Sequence, residues 1–495
     1  MLTRLEVDGF KNLVGLCVDF GPFNCIVGPN GTGKSNIFDA IQFLSLLAEL
    51  PIVEAAQRVR LAEGRSADPR ELLWTDGEQR AREMSFVAEM IVPSTVTDDF
   101  GRKEAVTSTF LRYELRLGYE PPSTALARLG RLVLLHESLG YITQTDAKEH
   151  IPWASRSFRD AVIQNRRSGP MFISTEKGEE GDSYIINIHQ DAGSRGPPRP
   201  SPAKTAPRTV VCTTTTASEP TILAARREMQ SWRIIALEPT AMRSPDSFTA
   251  TPSIQPNGGH MASCLYRLAN QPHDTQSGAE SAPAPRRFYA SVANRLARLI
   301  DAREVRVDRD DRRDLLTLEL RQGTGGFLPA RSLSDGTLRF LALSILDADP
   351  DVQGLICMEE PENGIHPERL PAMVELLQGI AVDPDEPPGA DNPLRQVIVN
   401  THSPGFVRLQ HDEFLLFAKS VKIRVEMQVE GSDDSVAVSS RVLRLRPLQG
   451  TWRDILRRDG VGKAEILAYL TAPPGAQLSL DTPGSGSAVA GHVGS

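Results

Sequence analysis

The residues with the clearest chemical meaning lie near the start of the chain. Residues 28–35 read Gly-Pro-Asn-Gly-Thr-Gly-Lys-Ser, the G-x-x-x-x-G-K-S spacing of a phosphate-binding loop. Glycines let backbone N–H groups turn toward phosphates, and the start of the next helix adds positive charge. Lys34 is expected to reach the terminal phosphates and Ser35 to bind magnesium through its hydroxyl. The nucleotide-binding residues are then predicted to be Asn30, Gly31, Gly33, Lys34 and Ser35.

Two adjacent acids form a second candidate site. Residues 354–358 are mainly apolar and lead into Glu359 and Glu360, which indicates a buried parallel strand that ends in carboxylates. Phosphoryl transfer to water needs one carboxylate near the magnesium ion and one that orients the attacking water. Adjacent residues at a strand end can diverge, so Glu359 and Glu360 together are expected to supply both carboxylates. The alternative is a solvated strand end without a chemical role.

Two further segments carry polar residues at the ends of predicted elements. Ser334 and Gly336 lie directly before or within the first turn of an apolar helix, where a serine is commonly an N-cap and where an anion can also bind. His402 follows a buried strand predicted at 396–400. A lone histidine is more often structural, but ligands of α/β proteins bind at this end of a strand, which favours a catalytic role for His402.

The elements that would position these residues are strands and helices of an α/β fold. The N-terminal region combines short strands, an apolar helix after the loop and a long strand-rich region with one polar face. Residues 331–471 alternate apolar helices with short buried strands. This pattern predicts a mixed or parallel core sheet together with an antiparallel β subdomain.

The same pattern divides the chain into four parts. Residues 1–150 are predicted to be an N-terminal lobe with the phosphate loop and the β subdomain, and residues 331–471 a C-terminal lobe with the remaining motifs. Residues 151–330 are expected to be a mainly helical insertion. Within it, 193–209 are rich in proline, serine and basic residues, which predicts a disordered or extended linker. The tail 472–495 is predicted to be flexible.

Composition limits the class of protein. The 495 residues include 55 Lys and Arg and 63 Asp and Glu, a net charge of −8, which argues against a uniformly basic surface for nucleic acid. No apolar run of 18 residues and no secretory leader are found, and the five scattered cysteines are expected to be free thiols of a cytoplasmic protein. Arginine is dense at 286–313 and 441–458; these are either solvated faces, since acids interleave, or DNA contacts.

In chain order, the four motifs resemble those of the ABC-type ATPases, and more narrowly the RecF/SMC/OLD-like branch of this AAA family in bacteria. Residues 359–367 read Glu-Glu-Pro-Glu-Asn-Gly-Ile-His-Pro, similar to the E-E-P-E-x-x-x-H-P form of OLD-like ATPases, whereas transporters usually carry D-E-P-x-x-x-L-D. The resemblance covers about 1–48, 84–142 and 330–418. It implies a P-loop NTPase fold of ABC type.

The resemblance also implies a role for each motif. Residues 333–337 correspond to the ABC signature, 355–360 to Walker B and His402 to the switch histidine. Glu359 takes the place of the usual Walker B aspartate, and Glu360 that of the catalytic glutamate. His366 stands where a D-loop aspartate would be, so the usual D-loop contact is not implied. A Q-loop glutamine is not identified, since Gln42 belongs to the first helix.

The family implies ATP and Mg²⁺ as cofactors, ATP hydrolysis, and an ATP-dependent homodimer. Ser334 and Gly336 of one subunit would contact the γ-phosphate bound to Lys34 of the other. The insertion lacks the heptads of SMC arms, and a fused nuclease is not recognised, so a separate nuclease or other effector is expected. The expected setting is DNA repair and maintenance or antiviral (anti-phage) defence, with DNA a possible partner and no membrane contact. Two alternatives are an ATP-binding subunit of a transporter and a nucleotide-gated scaffold with little turnover.

Overall fold

Two large sheets and the helices packed against them make up the part of the chain that the computed structural model describes, residues 1–59, 68–122, 130–178, 183–191, 197–271, 284–298, 300–431 and 435–471. The strands are β1 (Leu2–Asp8), β2 (Leu16–Asp19), β3 (Phe23–Val27), β4 (Glu83–Ile91), β5 (Thr95–Thr97), β6 (Lys103–Ala105), β7 (Phe110–Glu120), β8 (Arg131–Tyr141), β9 (Ile173–Lys177), β10 (Tyr184–Ile188), β11 (Arg199–Pro202), β12 (Arg233–Ile235), β13 (Asp246–Ser247), β14 (Ala302–Asp310), β15 (Leu315–Gln322), β16 (Phe327–Pro329), β17 (Gly354–Glu359), β18 (Arg395–Thr401), β19 (Leu415–Gln428) and β20 (Ser435–Pro447). The helices are α1 (Lys34–Leu47), α2 (Ile52–Arg58), α3 (Gln144–His150), α4 (Arg156–Val162), α5 (Val210–Thr213), α6 (Pro220–Gln230), α7 (Pro239–Arg243), α8 (Met261–Asn270), α9 (Ala284–Ala297), α10 (Asp335–Ala348), α11 (Leu370–Ile380), α12 (Pro404–Arg408), α13 (Trp452–Arg457) and α14 (Lys463–Thr471).

A six-stranded sheet carries the candidate site. Its order is β12-β17-β18-β3-β19-β20, and the pairs from β12 to β19 are parallel, while β20 returns antiparallel to β19. The side chains of β3 and β18 are buried throughout, as expected for strands covered on both faces. The register pairs Glu359 with Asn400 and Thr401 with Val27, so the carboxyl ends of β17, β18 and β3 lie at one edge.

An antiparallel eight-stranded sheet forms the predicted β subdomain. Its order is β11-β10-β9-β8-β7-β4-β1-β2. Leu115 and Leu117 on β7 are buried, while Glu114 and Arg116 between them are half-buried on the other face. The apolar face packs on α1, where Phe43 meets Phe86 of β4 with ring centroids 5.7 Å apart. The predicted α/β class, with a mixed core sheet and an antiparallel subdomain, is confirmed.

Residues 151–330, predicted to be a mainly helical insertion, carry strands as well as helices. β9, β10 and β11 extend the antiparallel sheet, and β12 joins the core sheet beside β17. β13 to β16 form a separate small sheet, against which α8 and α9 pack. In the described residues no helix is long and apolar enough to cross a membrane.

The prediction of a disordered linker at 193–209 is wrong where the structure describes this segment. β11 pairs with β10 at the outer edge of the sheet, where proline is tolerated because one side of an edge strand needs no N–H donor. Ala203 is fully buried, and the hydroxyl of Thr209 donates to Leu47 O at 3.0 Å. Residues 193–196 of this segment and the tail 472–495, which is predicted to be flexible, lie outside the described residues.

Candidate functional site

The loop between β3 and α1 is closely supported on one side and open on the other. Gly31 and Gly33 have φ angles of 79° and 94°, in the left-handed region that favours glycine. A Cβ at Gly28 would lie 2.5 Å from Ala418 O on β19, and a Cβ at Gly33 would overlap the side chain of Asn12. A Cβ at Gly31 would meet nothing within 4 Å. The loop therefore has room for a ligand on its outer side.

Lys34, the first residue of α1, points back over this loop. Its Nζ donates to Gly28 O and to Pro29 O, each at 2.7 Å. Burial lowers the pKa of the Lys34 ammonium, while the negative charges of Glu360 and Glu359 act in the opposite direction. The lysine of the predicted loop and the two predicted acids therefore share one electrostatic environment, although they are more than 300 residues apart in sequence.

Asn12 supports the loop from the turn between β1 and β2. Its Nδ2 donates to Thr32 O at 2.9 Å, and its Oδ1 accepts from Asn36 Nδ2 at 2.8 Å, so one side chain joins the loop to the first turn of α1. Sequence reasoning missed this residue. The signal that could have found it is a polar Lys-Asn pair between Phe10 and Leu13, in a turn between two strands.

Glu360 lies at the centre of a polar cluster at the end of β17. Its Oε1 is 2.6 Å from His402 Nδ1, and its Oε2 accepts from Asn363 Nδ2 at 2.7 Å. Its backbone N–H donates to Asn400 O at 2.9 Å, and its φ of 46° is left-handed. A non-glycine residue in this region costs roughly 1–3 kcal/mol, and such residues concentrate at functional sites. The structure thus brings Glu360 and His402, two candidate residues from different strand ends, into contact.

The donor atoms at this edge suit a magnesium ion bound together with a phosphate ligand. Ser35 is partly exposed at the start of α1, and Glu359 is exposed at the end of β17. Magnesium at nucleotide sites is usually held by one or two protein oxygens, with water and phosphate oxygens as the other ligands. Within the described ranges no group of three or more His, Cys, Asp or Glu could hold a metal without such a ligand. The residues therefore fit a magnesium–nucleotide complex.

The predicted signature residues lie at the start of α10. Ser334 is exposed and is the N-cap: its Oγ accepts from Thr337 N at 3.2 Å. A Cβ at Gly336 would be 3.2 Å from Gly364 O, so this turn packs tightly on the segment that follows Walker B. In the described residues no hydrogen bond joins Ser334 to the phosphate loop of the same chain. His366 is exposed, and its Nδ1 accepts from Glu368 N at 3.4 Å, outside the Glu360 cluster.

The two arginine-rich segments are largely engaged within the chain. Arg306 pairs with Glu319 at 2.7 Å and Arg309 with Asp311 at 2.7 Å, as a solvated, charge-balanced face would. Arg453 is buried and donates to Asp19 O at 2.9 Å. These side chains stabilise the fold.

Two family models match separate parts of the chain. Residues 1–53 match the RecF/RecN/SMC N terminal domain. Residues 252–408 match an AAA domain described as putative AbiEii toxin, Type IV TA system. The first match contains the phosphate loop, and the second contains Ser334, Glu359, Glu360 and His402.

Similar curated proteins are matched over short segments. Structural maintenance of chromosomes protein 1 of Schizosaccharomyces pombe is 51% identical over 45 residues, 9% of this chain and 4% of that protein. DNA replication and repair protein RecF of Psychromonas ingrahamii is 46% identical over 46 residues, which cover 9% of this chain and 13% of that protein. Structural maintenance of chromosomes protein 4 of Dictyostelium discoideum is 30% identical over 126 residues, which cover 22% of this chain and 9% of that protein. The matches thus span a small part of each relative.

Solved structures of SMC heads are also similar to this chain. An SMC head bound to the C-winged helix domain of ScpA is 13% identical, with 88% of this chain and 97% of that chain covered and a TM-score of 0.42. The SMC head domain from Thermotoga maritima is 13% identical, with 89% and 99% covered and a TM-score of 0.36. Both TM-scores lie below 0.5.

Proposed function

We propose that this ABC-type, RecF/SMC-like chain binds ATP with magnesium and hydrolyses it. The observation that carries the proposal is the meeting of Lys34, Glu359, Glu360 and His402 at the carboxyl edge of three adjacent parallel strands. A glycine loop with an open outer side, a lysine and two acids are the groups that phosphoryl transfer to water requires. Ligands of open α/β sheets bind at this edge.

Each residue then has a defined task. The loop N–H groups and Lys34 bind the phosphates, and Ser35 and Glu359 hold magnesium, which supplies positive charge to the phosphate oxygens. Glu360 orients a water whose oxygen bonds to the γ-phosphorus. The bond from that phosphorus to the bridging oxygen breaks, and ADP leaves with the electron pair. Glu360 takes the water's proton, and His402 holds the Glu360 carboxylate in place through their 2.6 Å contact.

The proposal includes an ATP-dependent homodimer. Ser334 is exposed at the N-terminus of a 14-residue helix, where a hydroxyl and free N–H groups can meet an anion from a second subunit. Ser334 and Gly336 would complete the site of the partner chain. ATP that contacts both chains binds the dimer more tightly than the monomer, so association follows nucleotide state.

The proposed biological setting is DNA maintenance or anti-phage defence. The matches to RecF and SMC proteins support a role in DNA maintenance, and the E-E-P-E-x-x-x-H-P segment supports anti-phage defence as the other possibility. The chain would act from the cytoplasm, in keeping with its free cysteines, and would gate a separate effector such as a nuclease. The proposal also divides the chain into three domains, at residues 1–150, 151–330 and 331–471.

A nucleotide-gated scaffold is the second candidate, and one observation favours it. Both carboxylate oxygens of Glu360 are engaged by groups of its own chain, Asn363 and His402. If the Asn363 contact held the carboxylate away from the γ-phosphate when ATP is bound, Glu360 would align no water, and the chain would bind ATP and dimerise without turnover.

Phosphate release, ATP titration and size exclusion on three variants test the proposal. Lys34→Ala should lose ATP binding. Glu360→Gln should retain ATP, accumulate an ATP-bound dimer and lose roughly 10²-fold or more of turnover. Glu368→Gln, an exposed acid outside the cluster, is the matched control and should behave as wild type. Wild-type protein that binds no ATP would refute the proposal; binding and dimerisation without phosphate release would establish the scaffold instead.

A further inference from the structure

Glu362 is a second acid at the candidate site, and no step described so far uses it. It lies two residues after Glu360 and is 7% exposed. Its Oε1 accepts a hydrogen bond from the hydroxyl of Thr401, which is fully buried at the end of β18. Its Oε2 is buried and has no hydrogen-bond partner among the described residues. A buried polar atom without a partner destabilises a fold, so fold stability alone does not account for an acid here.

The contact to Thr401 continues into the turn that carries His402. Thr401 Oγ1 accepts from the backbone N–H of Ser403 at 2.9 Å, so its hydroxyl is bonded on both sides. His402 is the residue between them, and its Nδ1 lies 2.6 Å from Glu360 Oε1. A continuous set of hydrogen bonds therefore runs from Glu362 through Thr401 to the backbone on the far side of His402.

The charges around Glu362 come from three elements. Burial raises the pKa of the Glu362 carboxyl, the hydrogen bond from Thr401 opposes this rise, and the negative charge of Glu360 adds to it. His402 acts in the opposite direction to Glu360. On α10, the helix that begins at the predicted signature, Arg339 is close enough for its charge to interact with Glu362, and its Nε is also buried without a partner in the described residues.

We propose that Glu362 is a positioning residue for the hydrolysis of ATP: through Thr401 it fixes the turn that presents His402 to Glu360. This inference rests on the proposed function. Without the Glu362–Thr401 bond the turn gains conformational freedom, His402 no longer holds the Glu360 carboxylate at 2.6 Å, and the water is aligned less often. Lys34 and Ser35 lie on another element, so ATP affinity does not depend on this bond.

A second buried glutamate in the same chain provides the control for a purely structural role. Glu137 on β8 is fully buried, and burial raises its pKa to about 7. It accepts from the backbone N–H groups of Val210 and Val211 at 2.7 Å and 3.0 Å, at the start of α5 in the antiparallel subdomain. Glu137 contacts none of the phosphate-loop or Walker B residues described here. Its replacement changes stability without changing the chemistry of what remains folded.

The experiment compares Glu362→Ala, Glu362→Gln, Thr401→Val and Glu137→Ala by ATP Kd, KM, kcat and melting temperature. Glu362→Ala and Thr401→Val should lower kcat by about tenfold or more while ATP Kd stays within about twofold. Glu362→Gln, whose amide oxygen can still accept from Thr401, should recover most of that loss. Glu137→Ala should lower the melting temperature and leave kcat per folded molecule unchanged.

The outcomes distinguish failure of the positioning role of Glu362 from failure of the proposed ATP hydrolysis. If wild-type protein releases phosphate but Thr401→Val retains full kcat, the positioning role is refuted and ATP hydrolysis stands. The same holds if Glu362→Ala resembles Glu137→Ala, with lower stability and unchanged kcat. If Glu362→Ala does not fold, the near-isosteric Thr401→Val and Glu362→Gln variants decide. A wild-type protein without turnover would refute both proposals.

Discussion

The Ser334→Arg variant tests whether the start of α10 serves a second subunit. Arginine places a long, charged side chain at an exposed N-cap, where the γ-phosphate of the partner's ATP is proposed to dock. Lys34 and Ser35 are unchanged, so the monomer should bind ATP with an affinity within about twofold of wild type. ATP-driven dimerisation and hydrolysis should both fail, because the bulky side chain prevents the two chains from closing on the nucleotide.

The structural cost of this change is small. Ser334 contributes one capping hydrogen bond, from Thr337 N to its Oγ at 3.2 Å, and loss of such a cap costs about 1 kcal/mol. For a large domain this corresponds to a fall in melting temperature of roughly 2–4 °C. Ser155→Arg is a matched control, since the Ser155 hydroxyl accepts from Phe158 N at 3.1 Å as the N-cap of α4. It should show a similar thermal effect and normal turnover.

Three assays on Ser334→Arg decide the matter: ATP titration, dimer fraction by size exclusion with ATP, and steady-state phosphate release. Mixing Ser334→Arg with Lys34→Ala chains can create one intact composite site per heterodimer, so at most half of wild-type turnover should return. Normal turnover in folded Ser334→Arg protein would remove the ABC-type dimer from the proposal and leave a generic P-loop NTPase.

Three further predictions concern single residues. Glu359→Gln should weaken ATP binding only when magnesium is present, and equal loss in titrations with EDTA would contradict its role as a ligand. Asn12→Ala removes one hydrogen bond to the phosphate loop and one to the first turn of α1 and should weaken ATP binding by about tenfold, so unchanged affinity by calorimetry would show that the loop holds its shape unaided. Burial raises the pKa of Glu137 from 4.5 to about 7. Between these pH values the folded protein keeps a proton on Glu137 that the unfolded chain has lost. The protonated carboxyl therefore contributes folding stability that is fully present below pH 4.5 and is lost as pH rises through 7. Relative to Glu137→Gln, wild type should therefore lose about 3 kcal/mol of unfolding free energy over that range. Denaturant titrations that give the same difference in unfolding free energy between the two proteins at every pH would exclude this.

Those parts of the fold that depend on local sequence could be predicted. β3 occupies residues 23–27, as the apolar run before the glycine loop indicated, and β17 and β18 coincide with the two buried runs that end in polar residues. The meeting of Glu360 and His402 followed from a general property of parallel sheets, that neighbouring strands present their carboxyl ends at the same edge.

What could not be predicted depends on contacts between distant segments. The outer half of β19 alternates charged and apolar residues, and only its pairing with β20 and the burial of Trp74 beneath the hairpin explain that pattern. Residues 199–202 have the composition of a linker but form β11, which pairs with β10 at the edge of the sheet. Asn12 and Glu362 each contact remote elements through their side chains, and a single sequence contains no spacing rule for such contacts.

The hydrogen bonds of Lys34 to Gly28 O and Pro29 O make ligand binding at this loop an exchange and not a simple addition. A ligand that draws the ammonium outward must compensate for two 2.7 Å N–H···O contacts that already exist. Phosphate oxygens can do so, because their negative charge adds a direct Coulomb attraction to the ammonium that neutral carbonyl oxygens lack. An uncharged nucleoside cannot. Selection for a polyphosphate over its dephosphorylated parent therefore arises at the loop itself, before the base or the sugar is recognised.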